Sequence, residues 1–203
     1  MTTYIESLLL GFSLAAIPGP IFFEVLRRTL TKGFWSGALL SVGEFLANFI
    51  ILMLTFFGIQ NFLLYKSVKI ILFLLGSAIL VWIGISALRM KKENIEIASK
   101  KGVSKSSSII VGFGLAISSP LAIAVWMSIG GAYLAQYSSK LISFINIVLL
   151  AVGVMLFFFA LASVIHITRH KLSTKYILLF SRIFGIVLII YGFYFMYQFL
   201  KLL

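Results

Sequence analysis

The fold class predicted is an all-α integral membrane protein, with six transmembrane helices in two inverted three-helix repeats and helices 1 and 4 broken at proline. Three observations predict it. The 203 residues are 62% hydrophobic, with mean hydropathy +1.15 and 11% charged residues, where soluble domains carry about 25%. Apolar segments at about 4–26, 36–59, 68–89, 108–136, 141–166 and 177–200 each reach the roughly 20 residues that a span requires. The three prolines fall at two corresponding places, Pro18 and Pro20 in the first segment and Pro120 in the fourth. Three spans per half is an odd number, so the second half is expected to be inverted relative to the first. This divides the chain into a first repeat at 1–89, a linker at 90–107 and a second repeat at 108–203.

The net charge of +12 is read as topology. Thirteen of the seventeen Lys and Arg residues fall in loops on one side, and Lys66, Lys69, Lys140 and Lys201 on the other. That is a positive-inside bias, with affinity for anionic lipid as a by-product and no nucleic-acid partner expected. Both termini are placed outside the cytoplasmic membrane. The first span carries Glu6 but no leading cation, so it is expected to be a retained helix and not a signal peptide. No cysteine is present, which excludes disulfides, thiol relays and thiolate metal sites.

Span one breaks at Pro18-Gly19-Pro20. Two prolines remove two backbone donors, and carbonyls upstream at Leu14 and Ala16 are expected to lose partners. The chain restarts as a half-helix from Ile21 to about Arg28, with the amides of Ile21 and Phe22 free of intrahelical acceptors. Glu24 follows one turn on. It is either a cation or proton site, or the partner of Arg28 at i,i+4.

Span two opens on Gly33, Gly37 and Ser41, small residues at a spacing that lets helix backbones approach. Ser41, Glu44 and Asn48 make one polar stripe on a face otherwise apolar. Glu44 lies about 12 Å into the span, and an ionisable group at such depth is a functional candidate. The bland alternative is a protonated acid bonded to a neighbouring helix, and Asn48 alone would serve as interhelical glue.

Span three, with Gly76, Ser77, Gly84 and Ser86, reads as packing. Residues 90–107 read as a polar cytoplasmic linker. Span four breaks at Ser118-Ser119-Pro120, where the amides of Leu121 and Ala122 open a second half-helix. Span five carries Asn146 and ends at His166 and His170, a pair with no evident third metal ligand. In span six Tyr191, Tyr194 and Tyr197 lie where an outer aromatic belt is expected. No nucleophile–base pair, phosphate loop or metal cluster is visible, so neither enzymatic chemistry nor a cofactor is expected.

Pro18-Gly19-Pro20, followed by Leu30-Thr31-Lys32-Gly33 and Gly37, resembles the opening of the lysine-exporter-type (LysE) translocator family. Gly43-Glu44 stands where that family commonly has a small residue and then an acid. Ser119-Pro120 with Ile129-Gly130-Gly131 resembles its Asn-Pro signature, with Ser119 in place of the asparagine. The resemblance covers the whole chain. It implies export of amino acids or related small solutes, coupled to an ion gradient of H+ or Na+. Some lysine exporters of this type have an aspartate shortly after the Asn-Pro pair; here Ala124 and Val125 stand there, which leaves the substrate's charge open.

The expected mechanism places the substrate carboxylate at the two breaks, that is at Pro18, Gly19, Pro20, Ile21 and Phe22 and at Ser118, Ser119, Pro120, Leu121 and Ala122. Glu44 with Asn48, helped by Glu24, faces the ammonium group or carries the coupling proton. A divalent-cation exporter using Glu24 and Glu44 as oxygen ligands is the alternative, and a non-transporting scaffold the third reading. Whether the chain forms a homo-oligomer is left open.

Overall fold

A computed structural model describes residues 2–58, 65–91, 93, 105–136, 139–169 and 171–202. Its principal helices are α1 (Thr2–Ala15), α2 (Pro20–Lys32), α3 (Phe34–Phe56), α4 (Lys66–Leu88), α5 (Lys105–Ile117), α6 (Pro120–Gln136), α7 (Lys140–Arg169) and α8 (Thr174–Leu202). Four of them, α3, α4, α7 and α8, are each long and apolar enough to cross a membrane. The others pass that test as two bent pairs, α1 with α2 at 77° and α5 with α6 at 75°, which brings the spans to six. The chain is an all-α multi-pass membrane protein.

The breaks fall where proline requires them. At Pro18 and Pro20 the missing N–H groups and the ring sterics end one helix and start another, with Pro20 in the first turn of α2. Two details differ from expectation. The Leu14 carbonyl is not orphaned, because Ile17 N–H donates to it in a tighter last turn. The second half-helix also runs on to Lys32, since nothing between Arg28 and Gly33 interrupts it; Gly33 ends it with φ of 95°. The expected linker overlaps α5, which begins at Lys105.

Each bent pair climbs one long neighbour in a single direction. Along α7, Ser7 meets Asn146, Gly11 meets Leu150, Phe22 stacks on Phe157 and Thr29 meets Arg169. Along α3, Ser108 meets Ser36, Gly112 meets Leu40 and Gly130 meets Leu52 and Thr55. A re-entrant loop would turn back, so this ascent is the course of a broken span.

Glycine is required where these helices touch. A Cβ at Gly11 would strike the Leu150 carbonyl, and one at Gly112 the Leu40 carbonyl; at Gly153 and Gly43 it would strike those of Leu8 and Ile109. The α4–α8 pair behaves alike. Gly84 lies against Ile189 and the Gly185 carbonyl, and Gly192 against Val81 and the Ser77 carbonyl. In a membrane such close packing replaces the hydrophobic drive that lipid removes.

Candidate functional site

Both breaks border one apolar cluster. Leu40, Ile51 and Leu52 of α3 and Ile147, Leu150, Val154 and Phe158 of α7 form its middle. Ala15, Ile21 and Phe22 pack on it from the first break, and Ile117 and Ala122 from the second. Residues of the two breaks, matched in sequence only by position, thus border the same cluster.

The two breaks are finished differently. Gly19 caps α2 with extended backbone (φ −144°, ψ −177°) and no side-chain hydrogen bond. Its φ is ordinary for any residue, and a Cβ there would meet nothing within 4 Å. The amides of Ile21 and Phe22 thus stand at a helix start with no hydroxyl over them, while Phe23 N–H is held by the Gly19 carbonyl. At the second break Ser119 is an N-cap, its hydroxyl accepting from Ala122 N–H at 3.3 Å. Of the two amides expected there, the Ala122 amide already has an internal partner. Ser118, 3% exposed, points its hydroxyl back to the Leu115 carbonyl.

Tyr191 belongs to this region as well. Its hydroxyl donates to the Pro18 carbonyl at 3.2 Å, tying α8 to the first break. Sequence reasoning placed it in an aromatic belt with Tyr194 and Tyr197. Nothing in its spacing distinguished it from them, because the contact spans the whole chain.

Glu44 and Asn48 face each other on α3, one turn apart. Both are buried, at 8% and 1% exposure. Glu44 Oε2 and Asn48 Oδ1 have no hydrogen-bond donor among the described residues. The Asn48 side chain reaches Glu44, yet one buried oxygen on each is left without a donor, which is costly and calls for an explanation. Gly43, next to Glu44, lies against Ile109 and Phe113 of α5. Phe113 is five residues before Ser118, about 7 Å along the helix. Ser41 closes the stripe locally by donating to the Ala38 carbonyl.

Glu24 sits apart, in an ion cluster at the far end of α2. It is 0% exposed, and its carboxylate takes Arg27 Nε and Nη2 at 2.7 and 2.6 Å and Arg28 Nε at 2.6 Å. Arg28 Nη1 reaches on to Ser108 Oγ at 3.1 Å, and Ser108 meets Ser36 at 3.3 Å. The i,i+4 pair with Arg28 forms, and Arg27 joins it from i+3. Both Glu24 oxygens are thereby engaged, so the two-glutamate cation site of the alternative reading is not assembled here. His170 lies outside the described residues, so the expected His166–His170 pair is not described; the His166 ring lies beside Phe34.

Comparison with known proteins gives a consistent picture. The chain is 28% identical over 207 residues to the "Putative amino acid efflux protein YcgF" of Bacillus subtilis, covering 99% of this chain and 98% of that one. It is 30% identical over 132 residues to the "Chemotactic transduction protein ChpE" of Pseudomonas aeruginosa, covering 65% of each. No solved structure matches the chain. The family model for the LysE type translocator matches residues 12–199. With its two broken spans and a match that takes in all six, the chain belongs to the LysE type translocator family.

Proposed function

We propose that this translocator is a secondary exporter of amino acids or related small solutes, coupled to an ion gradient across the cytoplasmic membrane. It is built as two inverted three-helix repeats, 1–89 and 108–203. Support for the repeat comes from contacts that recur in pairs: Ser7–Asn146 with Ser36–Ser108, Gly11–Leu150 with Gly112–Leu40, and Gly84–Ile189 with Gly192–Val81. Support for export of amino acids comes from the family and from the name of the B. subtilis relative.

One observation carries the mechanism: among the described residues, Glu44 Oε2 and Asn48 Oδ1 are buried without a hydrogen-bond donor. A proton on Glu44 would turn one of its oxygens into a donor, and a solute ammonium would supply a donor to either oxygen. A group able to take up a proton, or to lose it to water when a cation arrives in its place, is what coupling needs. In this reading the solute carboxylate meets the amides of Ile21 and Phe22, with Leu121 opposite, in the manner of half-helix termini in other transporters. Rocking of one repeat against the other alternates access.

The test is Glu44→Gln in inside-out vesicles loaded with a panel of amino acids. Glutamine keeps the size but cannot titrate. If Glu44 carries the coupling proton, gradient-driven accumulation is lost and counterflow survives. If it pairs with a cationic solute, both assays fail, lysine and arginine most. Accumulation of every substrate at the wild-type rate removes Glu44 from the mechanism. Orientation is checked with single cysteines at Ser99 and Ser139 in this cysteine-free chain. An impermeant thiol reagent added to intact cells is expected to reach Ser139 and not Ser99.

A further inference from the structure

The ion cluster of α2 does more than the exporter reading asks of it. Two guanidinium groups, 3% and 4% exposed, share one carboxylate, so the cluster holds one positive charge more than it neutralises. A third cation, Arg169 of α7, donates through Nη1 to the Thr29 carbonyl at 3.2 Å beside them. Arg27 bonds through Nε and Nη2, and Arg28 through Nε and Nη1. That leaves Arg27 Nη1 and Arg28 Nη2 without a hydrogen bond among the described residues. Burying unbalanced charge is expensive, and an anion is what would balance it.

The geometry of the seat says which anion. Arg27 grips Glu24 as a fork, Nε to one oxygen and Nη2 to the other, and Arg28 adds a third bond from its own Nε. This is a planar, two-oxygen recognition site of the kind guanidinium groups make for carboxylates. Glu24 fills it from the same helix, one turn away, so no other element holds its carboxylate. Arg28 is fixed independently by Ser108 of α5, which keeps that guanidinium in place when Glu24 lets go.

We propose that Arg27 and Arg28 form a carboxylate-binding site at the loop end of the first span, in which Glu24 is an internal stand-in for the carboxylate of an outgoing solute. An arriving carboxylate displaces Glu24 from the guanidinium pair and takes its charge-assisted bonds. The site lies six or seven residues from Ile21, about 10 Å along α2, so it acts as a stage ahead of the helix breaks. It rests on the exporter reading only for the identity of the solute.

The test measures anion binding and needs no transport. Wild-type protein in a lipid-free nonionic detergent is heated with increasing sodium acetate, against sodium chloride at equal ionic strength to remove general screening. The same titration is run with L-alanine and with ethylamine, which lacks the carboxylate. Glu24→Gln removes the internal competitor, so the acetate concentration for half-maximal stabilisation is expected to fall about tenfold, the effect of one freed charge-assisted bond. L-alanine shifts likewise, and ethylamine does nothing. Glu24→Asp keeps the charge but shortens the reach, and is expected to shift in the same direction by about threefold. It stands in where the Gln variant does not fold. A merely structural Glu24 predicts a lower melting temperature with the half-maximal concentration unchanged, and that result overturns the proposal. So does stabilisation of the variants by phosphatidylglycerol micelles but not by acetate or L-alanine, which assigns the pair to a lipid headgroup. A chain that binds acetate in this Glu24-dependent way but exports no amino acid retains the anion site and loses the exporter reading; normal export with no such binding does the reverse.

Discussion

At the first break Gly19 leaves the start of α2 bare, whereas at the second Ser119 lays its hydroxyl on the Ala122 amide at 3.3 Å. The helices that follow differ too. α2 carries Glu24, Arg27, Arg28 and Lys32 within nine residues, and α6 carries no charged residue over its seventeen. Yet the scaffold around both is the same, with Ser7–Asn146 matched by Ser36–Ser108 and glycine contacts matched by glycine contacts. The lesson is that matched packing contacts accompany different chemistry at the two breaks. The first break has an uncapped helix start, with an ion cluster further along α2; the second has a self-capped helix start.

The largest effects are expected at the shared packing. Gly112→Ala and Gly11→Ala each push a methyl group into a backbone carbonyl that cannot swing away. Each should cost about 1–3 kcal/mol through forced separation of the helices. Equal losses of thermal stability in detergent are expected from the two halves. A large loss in one and none in the other would show that the matched contacts do not carry matched weight.

Cap removal should cost less. Ser119→Ala frees the Ala122 amide and is expected to destabilise α6 by about 1 kcal/mol. If the cap competes with a substrate carboxylate, the same variant binds amino acids more tightly despite the lost stability. Smaller again is the loss from Ser7→Ala, about 0.6 kcal/mol for an interhelical bond in a membrane. A double-mutant cycle with Asn146→Ala measures that bond, and a coupling energy of zero would remove it from the comparison.

The smallest structural effect sharpens the difference most. Gly19 has extended backbone and open space at its Cβ position, so Gly19→Ser should change stability by no more than about 0.5 kcal/mol. It would, however, place a hydroxyl over the α2 amides as Ser119 does over those of α6. Transport by this variant is expected to fall although it folds normally. Wild-type counterflow would mean that the bare start of α2 does not hold the solute.

Sequence by itself determined the class, the spans and the breaks. Hydropathy over about 20 residues and three prolines at two places are local signals, and lipid permits no other resolution of them. It also singled out Glu44, because an acid deep in an apolar segment is conspicuous before anything folds. What it left ambiguous was every partner at long range. Tyr191 looked like its neighbours Tyr194 and Tyr197 until α8 was laid across Pro18. Ser7, Ser36 and Ser108 carried no signal at all, since a serine in a helix reads the same whether it faces lipid or another serine. Only tertiary structure decided these, because a hydrogen bond depends on where two distant helices cross, and no local pattern along one helix records that position.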